Sequence, residues 1–136
     1  MSDTPQIEIE AGMAGEYEFV VTDELSTDVG GTVPGRVLAT PRLVGVMERT
    51  CMLAVWGALP DDATCVGFSF SIKHVAPAPV GARCTCKASV RALEDGRNLI
   101  FDVEVKHDGR TIGIGTHERR VIARERFEAK KISAGE

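Results

Sequence analysis

The spacing of apolar residues changes period once along this chain. Between residues 41 and 56 the segments LVGVM and CMLAVW are apolar almost all round, interrupted only by charged residues such as Glu48 and Arg49. Such a run predicts a helix enclosed by other elements. Thr40-Pro41 marks its start, because a Thr hydroxyl can cap the free amides and Pro suits the first helical position. Gly57 fits a left-handed residue past the helix end, and Pro60 prevents continuation. Beyond residue 60 the period falls to two. Val66, Phe68, Phe70, Ile72 and His74 share one face of a strand over 66–74, opposite Gly67, Ser69, Ser71, Lys73 and Val75. The segment APAPVG at 76–81 breaks that strand. Strands over 82–93, 98–107 and 111–123 follow, joined by Glu94-Asp95-Gly96-Arg97 and His107-Asp108-Gly109-Arg110, both Asp-Gly hairpin signals. Ahead of the helix, Tyr17, Phe19 and Val20 belong to a strand over 16–22. The turn-rich stretch DELSTDVGGTVPG at 23–35 reads as an irregular segment placed to line or cover a site.

The order is thus strand, long loop, helix and four strands, which predicts an α+β domain: about five antiparallel strands packed on one helix. One helix leaves much of such a sheet uncovered, so a homodimer or a dimer of dimers is expected. At 136 residues there is room for one domain, over 15–129, with a loose lead-in at 1–14 and a tail at 130–136. The stretch RERFEAKKISAGE is expected to hold one helical turn before fraying.

Composition narrows the function classes. The formal net charge is −4 and the 16 Lys and Arg form no cluster, which argues against a surface built to neutralise phosphates; no nucleic-acid partner is expected. Only seven aromatics are present, too few for base-stacking platforms. The acidic start MSDTPQIEIEAG does not read as a secretory signal, and no apolar run approaches the roughly 20 residues of a membrane span, so a cytoplasmic protein with no membrane partner is expected. Cys51, Cys65, Cys84 and Cys86 contain no C-x-x-C pair; they read as buried small apolar residues, with no metal site expected.

Two residues break the local rules, and a third has a second use. Glu48 has Val44, Gly45, Cys51 and Met52 as its helical neighbours, none able to pair with a carboxylate. Arg42 and Arg49 lie roughly 120° away around the axis, at about 100° per residue. A carboxylate on such a face costs several kcal/mol unless it is partnered or protonated, so something outside the helix should account for it, either an ion pair or a functional site. His74 continues an apolar strand face; if that face packs on the helix, Glu48 and His74 point into the same space, where burial shifts pKa values as acid–base catalysis requires. Thr40, beyond its capping job, stands where the positive helix end favours an oxyanion or carboxylate, and could position Glu48 or a substrate carbonyl. His107 reads as a solvated turn residue. His117 reads as structural, and Arg119 as a solvated strand-end residue able to contact an anionic ligand.

The stretches VLATPRLVGVMERTC (37–51), SIKHVAPAPVGA (71–82) and HDGRTIGIGTHERRVI (107–122) resemble the hot-dog thioesterases of the fluoroacetyl-CoA thioesterase type, over roughly residues 33–129. The resemblance implies a hot-dog fold and hydrolysis of a small acyl-CoA thioester by a Thr, Glu and His set, matched here by Thr40, Glu48 and His74. It implies no cofactor, since coenzyme A is part of the substrate. Gly67 matches the position whose backbone amide helps hold the thioester carbonyl. The family's aromatic lid residue is replaced near Pro34, and Pro41 follows the Thr where the family has a more flexible residue. The reaction class is therefore carried over and fluorine selectivity is not. Two other readings stay open: a hot-dog hydratase or dehydratase, against which the loop at 23–35 contains no His, and a non-catalytic acyl-CoA-binding module in which Glu48 and His74 only gate a pocket.

Overall fold

The computed structural model describes residues 6–125, so the helical turn expected in the tail and the segment 130–136 fall outside or at the edge of the described residues. Strand β1 (Ala14–Val20) leads through a short 3-10 turn to β2 (Ser26–Thr27) and β3 (Val37–Leu38), which pair as a small ribbon. Helix α1 (Thr40–Val55) follows, then β4 (Ala63–His74), β5 (Arg83–Glu94), β6 (Asn98–His107) and β7 (Arg110–Ala123). The five long strands form one antiparallel sheet in the order β1-β5-β6-β7-β4, with α1 against one face. This is the one-helix, five-strand arrangement that the patterning predicts. Among the described residues no helix is long and apolar enough to cross a membrane.

Both Asp-Gly turns form as expected. Asp95 and Gly96 have φ of 55° and 69°, and Asp108 and Gly109 have 50° and 75°, so both central residues of each turn are left-handed. That geometry matches the right-handed twist of the flanking strands, and Asp-Gly is among the few pairs that accept it cheaply.

The start of α1 differs from expectation. Its N-cap is Ala39, whose carbonyl accepts the Arg42 and Leu43 amides, and no side chain caps the end. Thr40 already lies in the helix, and its hydroxyl is engaged elsewhere. At the other end Gly57 does not take the left-handed conformation; α1 runs on into a 3-10 turn, Trp56–Ala58.

Nor is α1 enclosed by the described residues. Leu43, Val46, Met47, Thr50, Cys51 and Val55 are buried against the sheet, while Glu48, Arg49, Leu53 and Trp56 face outward. A single sheet covers only one side of a helix, and Trp56 stays 68% exposed. The opposite face of the sheet needs less cover than expected. It carries Arg83, Lys87 and Arg91 on β5 beside Asp102, Glu104 and Lys106 on β6, with Arg91 paired to Asp102. The apolar surface left uncovered therefore lies around α1 and the β4 edge, where Phe68 is 61% exposed.

Strand β4 departs from its expected face. A β-bulge between Gly67 and Ser69 inserts one extra residue, so the inward set switches from Ala63 and Cys65 to Phe70, Ile72 and His74. Val66 and Phe68 thus leave the face that simple alternation assigns them, and Phe68 packs under the Arg120 guanidinium instead. The four cysteines are free and buried, as expected of small apolar residues. Burial pushes the Cys51 thiol up to about 12 and that of Cys86 to about 11, which keeps both uncharged.

Two glycines let α1 sit close to the sheet. A Cβ on Gly15 would lie 2.7 Å from the Thr50 carbonyl oxygen and the Ala54 amide nitrogen, and one on Gly113 would lie 2.7 Å from Leu43. Backbone atoms cannot yield as a side-chain tip can. Gly15→Ala should therefore lower the unfolding free energy by about 1–3 kcal/mol, as overpacking does. Gly57→Ala, whose added methyl meets nothing within 4 Å, is the control and should leave the thermal midpoint unchanged.

Candidate active site

Two polar clusters stand at different ends of β4. The first joins the beginning of α1 to the last residue of β4: Thr40 Oγ1 lies 2.8 Å from His74 Nδ1. The hydroxyl that the sequence assigns to capping is thus bound to an imidazole across the fold. His74 Nε2 is buried and has no hydrogen-bond partner among the described residues. Burial holds the His74 pKa below its ordinary value, favouring the neutral ring.

Thr40 and His74 open on a cleft of about 290 Å³ walled largely by apolar groups, including Val29, Val37, Leu38, Val75 and Pro77. Val29 was not apparent as a site residue. Its φ of 51° puts a β-branched side chain in the left-handed region, a strained conformation. Two threonines hold it there: the Val29 amide donates to Thr27 Oγ1 at 3.1 Å, and the Thr32 hydroxyl donates to the Val29 carbonyl at 2.6 Å. Pro34 lies exposed in the same loop and does not line this cleft.

The second cluster surrounds Glu48. Its Oε2 accepts a hydrogen bond from Arg119 Nη1 at 3.1 Å and lies 3.9 Å from His117 Nε2. Gly67 stands opposite Arg119 in the β4–β7 register, and a Cβ there would sit 2.9 Å from Glu48 Oε2. With no side chain at Gly67, the carboxylate lies against the strand where an added Cβ would displace its tip. Arg119 is only 8% exposed, against the solvated position expected of it. Its Nε and Nη2 donate to the sulfur and carbonyl oxygen of Cys65 at 3.3 and 2.8 Å. His117 is buried and stacked on Phe70 with ring centroids 4.0 Å apart.

The two clusters do not meet within one chain. Gly67 and His74 are seven residues apart on β4, which at strand rise is about 20 Å. The expectation that Glu48 and His74 share one space is therefore not realised inside a single copy, because the two side chains engage opposite ends of the same strand. Thr40 pairs with His74, while Glu48 pairs with Arg119 beside Gly67. Strict pairing could not have found the Arg119 partnership: with His74 beside Gly113, unbroken register sets Arg119 beside Phe68, and only the bulge brings it to Gly67. His107 is not a free turn residue either, since its Nδ1 contacts the Arg83 carbonyl at 2.8 Å.

Comparison with known proteins identifies the family and the fold. The family model described as fluoroacetyl-CoA-specific thioesterase matches residues 21–125. The fluoroacetyl-CoA thioesterase of Streptantibioticus cattleyicolor is 41% identical over 95 residues, which is 69% of this chain and 67% of that protein. A solved structure of a fluoroacetyl-CoA thioesterase superposes with a TM-score of 0.80 at 30% identity, covering 93% of this chain and 97% of the other. A thioesterase superfamily member from Thermus thermophilus superposes with a TM-score of 0.84 at 25% identity, covering 94% of each chain. With a family match over most of its length, the same one-helix architecture and a carboxylate and an imidazole set on the elements described above, the chain belongs to the fluoroacetyl-CoA-specific thioesterase family and is a thioester hydrolase of the hot-dog fold.

Proposed function

We propose that this protein hydrolyses a small acyl-CoA thioester to the free acid and CoA, in a site made by two copies of the chain. The observation that carries this reading is the His74 imidazole: Thr40 holds its Nδ1 while the buried Nε2 has no partner among the described residues. An imidazole oriented on one side and left without a partner on the other fits a ring that awaits a group from outside the chain. The carboxylate that would work with it belongs to the other end of β4.

A second copy resolves that separation. Strand β4 is an edge of the sheet, with the exposed Phe68 on it. Antiparallel pairing of two β4 edges about a two-fold axis near Phe70 and Ser71 sets Gly67 of one copy opposite His74 of the other. Glu48, Arg119 and Gly67 of one copy then face Thr40 and His74 of the second.

In that site Glu48, with Oε2 tied to Arg119 and Oε1 free, takes a proton from water. The resulting hydroxide adds to the thioester carbonyl carbon. The developing oxyanion is stabilised by the Gly67 amide and by His74, which carries its proton on Nε2 when the Thr40 hydroxyl donates to Nδ1. Collapse of the tetrahedral adduct breaks the C–S bond, and the proton held by Glu48 passes to the departing thiolate. The cleft of about 290 Å³ with its Val29, Val37 and Leu38 walls supports a short apolar acyl group.

Thiol release measured across short, branched and aromatic acyl-CoAs should show turnover with the short apolar members. Thermal stabilisation by those CoA esters with no thiol released would replace hydrolysis with plain binding. Glu48→Gln and His74→Ala should each lower kcat by roughly 10²–10⁴-fold. Mixing the two inactive variants and allowing subunits to exchange should restore about a quarter of wild-type activity, because each mixed pair keeps one complete site. A mixture that stays inactive while mixed pairs are present would overturn the shared site.

The same histidine gives a pH dependence with a fixed sign. Burial lowers the folded-state pKa values of His74 and His117 below the 6.5 of a free imidazole. Between those folded values and 6.5 the unfolded chain binds more protons, so stability is full above 6.5 and is lost as pH falls through and below it. Thermal midpoints recorded from pH 7.5 down to 5 should fall, and a His117→Asn, His74→Asn double variant should flatten that slope.

A further inference from the structure

We infer that His117 is a positioning residue for Glu48, acting through Arg119. The inference rests on Glu48 taking part in thioester hydrolysis. His117 Nδ1 lies 2.8 Å from the Ser69 carbonyl oxygen, and a carbonyl can only accept, so Nδ1 carries the ring proton. In the neutral ring Nε2 is then a lone pair. That lone pair sits 3.2 Å from Arg119 Nη1, which donates to it. The other tautomer would set two donors face to face at that distance.

The guanidinium is thereby fixed on every side. Nε and Nη2 are held by Cys65, one Nη1 proton goes to His117, and the remaining Nη1 proton is aimed at Glu48 Oε2. A planar donor fork held at three points places its target carboxylate more narrowly than a free arginine would. The ring that performs this task is itself immobilised. It is 1% exposed, stacked at 4.0 Å on Phe70 of β4 and at 6.2 Å on Phe101 of β6.

Its second contact reaches the bulge. The Ser69 carbonyl follows directly on Phe68, the residue left out of the β4–β7 register, and Gly67 precedes it. His117 therefore ties together the two features that locate Glu48: the guanidinium it pairs with and the kinked strand it lies against. Glu118 on the same strand turns away from this cluster and accepts the Ser69 hydroxyl.

Three variants separate this role from mere packing. His117→Phe keeps the stacking and removes both hydrogen bonds. His117→Gln can return an acceptor towards Arg119, and His117→Asn can return only the donor towards Ser69. His117→Phe should lower kcat about ten- to hundredfold, the scale of an ångström of misplacement, with KM for the acyl-CoA nearly unchanged. His117→Gln should recover most of that loss and His117→Asn little of it. Wild-type kcat in folded His117→Phe, or recovery by Asn and not by Gln, would overturn the inference. Should His117→Phe fail to fold, ¹⁵N spectra of the wild-type imidazole decide: a protonated Nδ1 with a bare Nε2 at neutral pH upholds the arrangement, and a protonated Nε2 overturns it. If wild-type protein releases thiol from no acyl-CoA, hydrolysis fails as a function. The ¹³C resonance of the Glu48 carboxylate then reads the positioning alone, displaced by His117→Phe and restored by His117→Gln if the inference holds, and unmoved by either if it does not.

Discussion

A guanidinium buried between a helix and a sheet must be given partners, because leaving a charge unpaired there costs several kcal/mol. Arg119 is that group in this protein, and much of the local architecture answers its demand. The Cys65 carbonyl and sulfur, the His117 ring and the Glu48 carboxylate converge on it from β4, β7 and α1. Glu48 in turn lies close against Gly67, where a Cβ would meet its Oε2 at 2.9 Å and push the carboxylate tip aside. What looks in the helix alone like a carboxylate on the wrong face is the complement of a cation contributed 71 residues later.

That span explains which parts of the molecule could be read from the chain and which could not. Helix, meander and hairpin turns are local: their signals lie within a few residues, and Asp95-Gly96 and Asp108-Gly109 took the left-handed pair their chemistry suits. The unusual standing of Glu48 and His74 was also legible, because each violates a local rule. Their partners were not, since a pairing between α1 and β7 depends on sheet register. The bulge at Phe68 shows the limit most clearly. Strict alternation has no means of seeing one inserted residue, and that insertion alone reverses which side chains of β4 face inward.

Thr40 illustrates a different kind of ambiguity. A hydroxyl at the start of a helix satisfies the capping pattern, and nothing local distinguishes that use from a bond to His74 34 residues away. The fold leaves the Arg42 and Leu43 amides to the Ala39 carbonyl and gives the hydroxyl to the imidazole. A conventional structural contact is forgone at a position where the sequence could have made it, as happens where chemistry rather than stability sets the side chain's direction.

Val29 lies on a segment that contributes nothing to the Arg119 cluster. Its strained conformation is held by Thr27 and Thr32, both within three residues of it, so the wall it gives the cleft is encoded by one short stretch of chain. The groups around Glu48 are scattered over α1, β4 and β7 and are mutually dependent. Mutational change can therefore reshape what the cleft admits, through replacement or lengthening of a single loop, while the distributed charge network stays intact.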